Sequence, residues 1–235
     1  MRKKDYVITL IALGISGMVN GVSAQYEYQW GIEVSPQLCW LINKDDMNSK
    51  IFKPQSTIGG AFGLMYEYDF TKYIGIGVDA LYSSQGQSYQ FVGVEFFRKV
   101  NYYKVPVMFC YSPELSQGLR LIGKAGPQVS VLSSAELVNK DGKPVVKDQK
   151  KAYQDNDYGL AFLGGFGFNI WSRLYTDVLL RYDYSFSNAE NSNNTKNINN
   201  PNPPFLPGSQ LEPHVRAFSH NKTIGITLVF RYCYN

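Results

Sequence analysis

Ten charged residues fall on one phase of alternating segments: Glu33, Glu67, Asp79, Asp177 and Asp183, with Lys104, Arg120, Lys124, Arg181 and Arg231. Carboxylates beside ammonium or guanidinium groups can do either of two things. In an open cleft they are general acid–base machinery. Closed off from water they are structural ion pairs, because a buried charge is costly unless paired. Nothing marks one of these carboxylates as standing in a cleft, and five against five reads as an interlocked network. A second group, His214 and His220 with Ser209 and Ser219, could supply a nucleophile and its base. It sits in a Pro/Asn-rich stretch and reads as surface residues. No metal-ligand spacing, phosphate-cradling loop or nucleotide fingerprint occurs, so neither cofactor nor metal is expected.

The elements that must carry these charges alternate. In Trp30 to Trp40, Trp30, Ile32, Val34, Pro36, Leu38 and Trp40 share one side, and Gly31, Glu33, Ser35, Gln37 and Cys39 share the other. Successive strand side chains point to opposite faces, so one face is apolar and the other small or polar. At about 3.3 Å per residue and a tilt near 40°, the two tryptophans stand about 25 Å apart, the height of an outer-membrane apolar band. Seven further segments repeat the pattern: Thr57–Asp69, Tyr73–Ser83, Lys99–Tyr111, Leu119–Ser133, Tyr158–Ile170, Arg173–Phe186 and Lys222–Tyr234. Their connections alternate between short turns and long polar loops, the latter at Asn43–Ser56, Ser84–Arg98, Ser134–Asp157 and Ser187–Asn221.

The expected fold is all-β: an eight-stranded antiparallel up-and-down transmembrane β-barrel in the bacterial outer membrane, with periplasmic termini and extracellular long loops. Up-and-down closure leaves no unpaired edge in lipid. Trp30, Trp40, Tyr66, Tyr68, Tyr82, Tyr103, Tyr111, Tyr182 and Tyr232 are the expected lipid-interface aromatics. Eight strands enclose just enough room for side chains, so a plugged lumen is expected over a narrow gated pore. Within it, Arg231 is expected to pair with Glu33, shared with Glu67. Gly164-Gly165-Phe166-Gly167 lies inside a strand, where glycine relieves crowding in a narrow barrel.

Residues 1–24 read as a cleaved signal peptide, with Arg2, Lys3 and Lys4 before an apolar run and Val22-Ser23-Ala24 as the cleavage site. Residues 25–235 form one barrel domain. The formal charge is +4, and removing the signal leaves about +2, too little to argue for nucleic acid. Aromatic residues reach 15%, with 18 tyrosines, as suits a chain at a membrane–water boundary. Cys39, Cys110 and Cys233 are an odd number on distant strands and read as three packed free thiols. The Asn-rich, Pro-rich stretch after Asn188 reads as a polar loop without a packed core. Outer-membrane lipid and lipopolysaccharide are the expected partners of a monomer, with a protein or surface ligand at the loops.

Tyr103-Lys104-Val105-Pro106-Val107, Gly123-Lys124-Ala125-Gly126-Pro127, Asp157-Tyr158-Gly159-Leu160 and the signal ending Ala24-Gln25 resemble the PorT-type outer-membrane β-barrel proteins of Bacteroidetes. That resemblance implies an eight-stranded outer-membrane barrel; PorT itself is linked to type IX secretion, while most relatives have no assigned activity. The protein is expected to be a non-enzymatic component of the cell envelope. It carries over no catalytic residue. The alternatives are a rim enzyme acting on outer-leaflet lipid, and a soluble lipocalin-like carrier whose apolar face would lie inside.

Overall fold

The computed structural model describes residues 27–43, 53–91, 94–139, 141–146, 148–189 and 219–234. The signal-peptide segment, Ser209, His214 and most of the Asn/Pro-rich loop lie outside the described residues. Eight long strands make the body: β1 (Glu27–Asn43), β2 (Thr57–Asp69), β3 (Ile74–Phe91), β4 (Val94–Tyr111), β5 (Leu119–Asn139), β6 (Asn156–Trp171), β7 (Leu174–Ser185) and β8 (Ser219–Tyr234). Each pairs antiparallel with its chain neighbour, and β1 pairs β8 from Tyr28↔Tyr234 to Asn43↔Ser219, closing the barrel. Short segments Lys53–Gln55 and Pro144–Val146 extend the sheet beside β3 and β5.

The alternation sorts the faces. Trp30, Ile32, Val34 and Leu38 are exposed on the outside, Trp30 at 58%, while Gly31, Glu33, Ser35, Gln37 and Cys39 are buried inside. The same holds around the barrel, with Phe62, Val107, Phe166, Leu180 and Phe230 facing out. A continuous apolar exterior around a polar interior is the reverse of a soluble carrier and suits a lipid solvent. The inner phase has little room. At Gly165 a Cβ would strike the Val178 carbonyl oxygen. At Gly167 it would come within 2.5 Å of Asp177 Oδ1 and 3.2 Å of Arg231 Nη2, so this glycine gives that ion pair its space.

The barrel has a turn end, with short connections and the outer tips of β1 and β8, and a loop end. At the turn end, Phe70 N and Thr71 N donate to the Ile74 carbonyl, both at 3.1 Å. At the loop end the strands run further than their apolar alternation suggests. β3 and β4 stay paired through Gln85↔Val100 to Phe91↔Val94, and β5 continues to Asn139, so much of two expected loops is strand. On β3 the cause is burial on both phases: Gln85, Gly86, Gln87 and Ser88 are all buried, so no apolar–polar alternation is imposed there.

Candidate functional site

The lumen is filled in tiers. Towards the loop end, Arg181 on β7 is the hub: its Nε donates to Asp183 Oδ1 at 2.9 Å, its Nη1 to Glu33 Oε1 at 3.1 Å and its Nη2 to Gln128 Oε1 at 3.4 Å. Asp79 Oδ2 stands 3.7 Å from the same guanidinium. Lys104 Nζ takes the other Asp183 oxygen at 2.6 Å. Towards the turn end, Lys124 pairs with Glu67, and Arg231 Nε lies 3.0 Å from Asp177 Oδ2 while its Nη1 donates to Gln29. Gln29 Nε2 donates in turn to Asp69 Oδ2 at 2.5 Å. Leu179 lies between Asp177 and Arg181 along β7 and belongs to a buried apolar cluster with Met65, Met108, Ile122, Leu163 and Val229. Two ionic tiers thus flank an apolar one.

Three expectations are corrected. Arg231 does not pair with Glu33. Asp177 and Glu33 are both register partners of Val229, so they stand at the same offset from Arg231. Arg181 draws Glu33 towards the loop end, which leaves Arg231 with Asp177 and Gln29. Arg120 stands apart from these ion pairs: it is half-buried near the start of β5, 4.8 Å over the Tyr175 ring, with Arg231 at 5.2 Å from that ring's centre. The interior is also not balanced. Among the described residues, seven carboxylates are buried against four cations, because Asp69 and Asp157 join the five expected acids. Both extra acids sit at strand ends, in phase with inner residues two positions along.

Asp157 is held by hydrogen bonds alone. Ser185 Oγ, Ser187 Oγ (2.7 Å) and Asn221 Nδ2 (3.0 Å) all donate to it, and Asn221 Nδ2 also donates to Tyr102 OH at 3.1 Å. Between this ring and the Arg181 tier remains a polar cavity of about 10 Å³, room for one water. Above the ring the segment 148–155 is tied to β5 on one side and to Ala189, just after β7, on the other. Gln149 N donates to the Ala135 carbonyl at 2.8 Å, Leu132 N to Asp155 at 2.8 Å and Gln154 N to Ala189 at 2.9 Å. These bonds press Tyr153, 5% exposed, into an apolar cluster with Val100, Tyr102, Leu132 and Ala135. Tyr102 and Tyr153 carry no period that singles them out in the sequence.

The nine expected interface aromatics all lie on the outward phase. Trp30, Tyr66, Tyr103 and Tyr111 are exposed, whereas Trp40, Tyr68, Tyr82, Tyr182 and Tyr232 are half-buried. Ring contacts account for part of that cover: Trp30–Tyr232 (5.9 Å), Tyr82–Tyr103 (5.6 Å) and Tyr68–Tyr28 (5.2 Å). They form two bands, one at each end. Cys39, Cys110 and Cys233 are free and buried. Ser219 is buried inside, whereas His220 stacks on the outward-phase Tyr184 ring at 5.9 Å, so neighbours in sequence do not form a nucleophile–base pair. Among the described residues no group of three or more His, Cys, Asp or Glu side chains is arranged to hold a metal ion.

A closed antiparallel barrel with an apolar exterior, aromatic bands and a packed polar interior defines an integral outer-membrane β-barrel. The chain belongs to the family described as the outer membrane protein beta-barrel domain, whose model matches residues 10–202. Among solved structures it aligns with Neisserial surface protein A at 11% identity and TM-score 0.49, over 90% of this chain and 99% of that one. It also aligns with Ail, the attachment invasion locus protein of Yersinia pestis, crystallised with the heparin analogue sucrose octasulfate. That match has 14% identity and TM-score 0.41, over 87% of this chain and 99% of Ail. No curated protein matches the chain.

Proposed function

We propose that this protein is a non-conducting, non-enzymatic outer-membrane barrel that works through its loop end, as a surface-binding or envelope-supporting component. One observation carries the reading: the lumen is closed twice, by the Arg181 and Lys124 ion-pair tiers and by Tyr153 seated in the mouth. Conduction would require the Lys104–Asp183 and Lys124–Glu67 pairs to part while Tyr153 leaves its cluster. The surface left for function is then the loop end.

In this reading residues 1–24 are a cleaved export signal, the turn end and both termini face the periplasm, and the loop end faces outward. The short-turn, long-loop asymmetry supports that orientation. Lipopolysaccharide surrounds the outer aromatic band, and the barrel acts as a monomer. The resemblance to PorT-type barrels adds an accessory role in secretion as one form of envelope support. Planar-bilayer recording on the purified full chain tests the core of it: no conductance steps are expected, and steady or voltage-gated steps would overturn it.

A further inference from the structure

A second cavity lies at the loop end, and its lining is unlike the rest of the barrel. It measures about 510 Å³, within the roughly 300–1,000 Å³ usual for small-molecule sites. Lys150 and Lys151 stand beside Tyr153, Gln154, Asn156 and Tyr158, and Asp155 is the single acid among the described lining residues. No aliphatic residue is among the described lining, whose charged members are two lysines and one aspartate, so the cavity offers polar and basic groups rather than an apolar slot.

The backbone that presents the lysines is fixed. They occupy a short 3₁₀ turn, Lys150–Ala152, pinned on one side by Gln149 N to Ala135 O (2.8 Å) and on the other by Gln154 N to Ala189 O (2.9 Å). A pinned backbone spares part of the ordering cost of binding. Tyr158 is exposed on the outward phase of β6 while its neighbour Asp157 points inward, so the cavity reaches the outer rim of the barrel. Two adjacent lysines suit a phosphate, and amide and hydroxyl side chains suit sugar hydroxyls.

We propose that this cavity binds a phosphate group carried on a sugar, either the headgroup of an outer-leaflet glycolipid or a soluble sugar phosphate. The glycolipid source rests on the reading that the loop end faces outward.

The test uses the purified full chain in detergent, with mixed micelles carrying phosphorylated lipid A, the same micelles with dephosphorylated lipid A, and soluble glucosamine 1-phosphate as probes. Variants are the double substitutions K150E/K151E and K150R/K151R at exposed positions, with heat-modifiable migration confirming that each barrel is folded. Wild type is expected to bind the phosphorylated micelles about tenfold or more tighter than K150E/K151E, and K150R/K151R to stay close to wild type. Binding of soluble glucosamine 1-phosphate as tightly as the micelles would assign the soluble source; binding of the micelles alone would assign the glycolipid. Equal binding by K150E/K151E, or no preference for phosphorylated over dephosphorylated lipid, would overturn the site. A separate arm reads orientation. Lys150→Cys is the one exposed thiol beside three buried ones, and an impermeant maleimide should label it on intact cells. Absent labelling with retained phosphate binding would overturn the orientation and leave the site standing.

Discussion

Arg181 on β7 reaches Glu33 on β1, Nη1 to Oε1 at 3.1 Å, across the strand that separates them, β8. The contact therefore straddles the seam where the first and last strands meet. The same guanidinium holds Asp183 and faces Asp79, so one side chain neutralises a cluster of acids that would otherwise repel in a medium without water.

Arg181→Met is expected to destabilise the barrel by about 3–5 kcal/mol, because it leaves carboxylates buried without their counter-charge. Adding Glu33→Gln should recover part of the loss, giving a coupling of about 0.5–3 kcal/mol in a double-mutant cycle. Urea unfolding in micelles, followed by tryptophan fluorescence, measures both. Additive effects would show that the contact across β8 carries no energy.

Tyr153→Ala should loosen the strap over the mouth without opening the barrel. Truncating a buried aromatic side chain costs about 3–5 kcal/mol where the site cannot collapse, and here the cost falls on the docking of 148–155. Trypsin should then cut after Lys150 and Lys151 faster than in wild type, while the body of the barrel still runs as a heat-modifiable band. Unchanged cleavage would mean that the segment is held by its backbone hydrogen bonds alone.

Leu228→Arg places a charge on the outer face, on a strand position paired with both Val34 and Val178. In lipid the expected cost is about 2–4 kcal/mol near the midplane and about 0–1 near the interface. Ile58→Arg, beside Leu38 near the upper aromatic band, should accordingly cost less. Equal and small losses in vesicles would argue against a bilayer around this face.

The three thiols should resist maleimide in the folded protein and react together on unfolding, since all three are buried. Mass spectrometry before and after denaturation counts them. Fewer than three additions to the unfolded, unreduced chain would reveal a disulfide.

Which face of each strand meets lipid was legible from the sequence because a one-sided apolar pattern repeats on all eight. Where strands leave that environment the pattern stops informing: Gln85 to Ser88 are buried on both phases and read as loop. Partner choice in the lumen was not legible either. Glu33 and Asp177 stand at the same offset from Arg231, and what decides between them is Arg181, which reaches Glu33 from two strands away. Gln29 could have been found, since it continues the phase of Gly31 and Glu33 by one step. Tyr153 could not, because its burial depends on a strap fixed by backbone bonds to Ala135 and Ala189.

The seam also sets an order of events. Seven strand pairings join neighbours in the chain, whereas the eighth depends on contacts such as Glu33 with Arg181, 148 positions apart, and Gln29 with Arg231, 202 apart. Contacts of such separation are slow to form because the ends must first meet. Until β7 and β8 arrive, Glu33 has no guanidinium and β1 presents an open edge. Closure rather than hairpin formation is then the slow step, and Arg181 is a latch that sets only on a finished barrel.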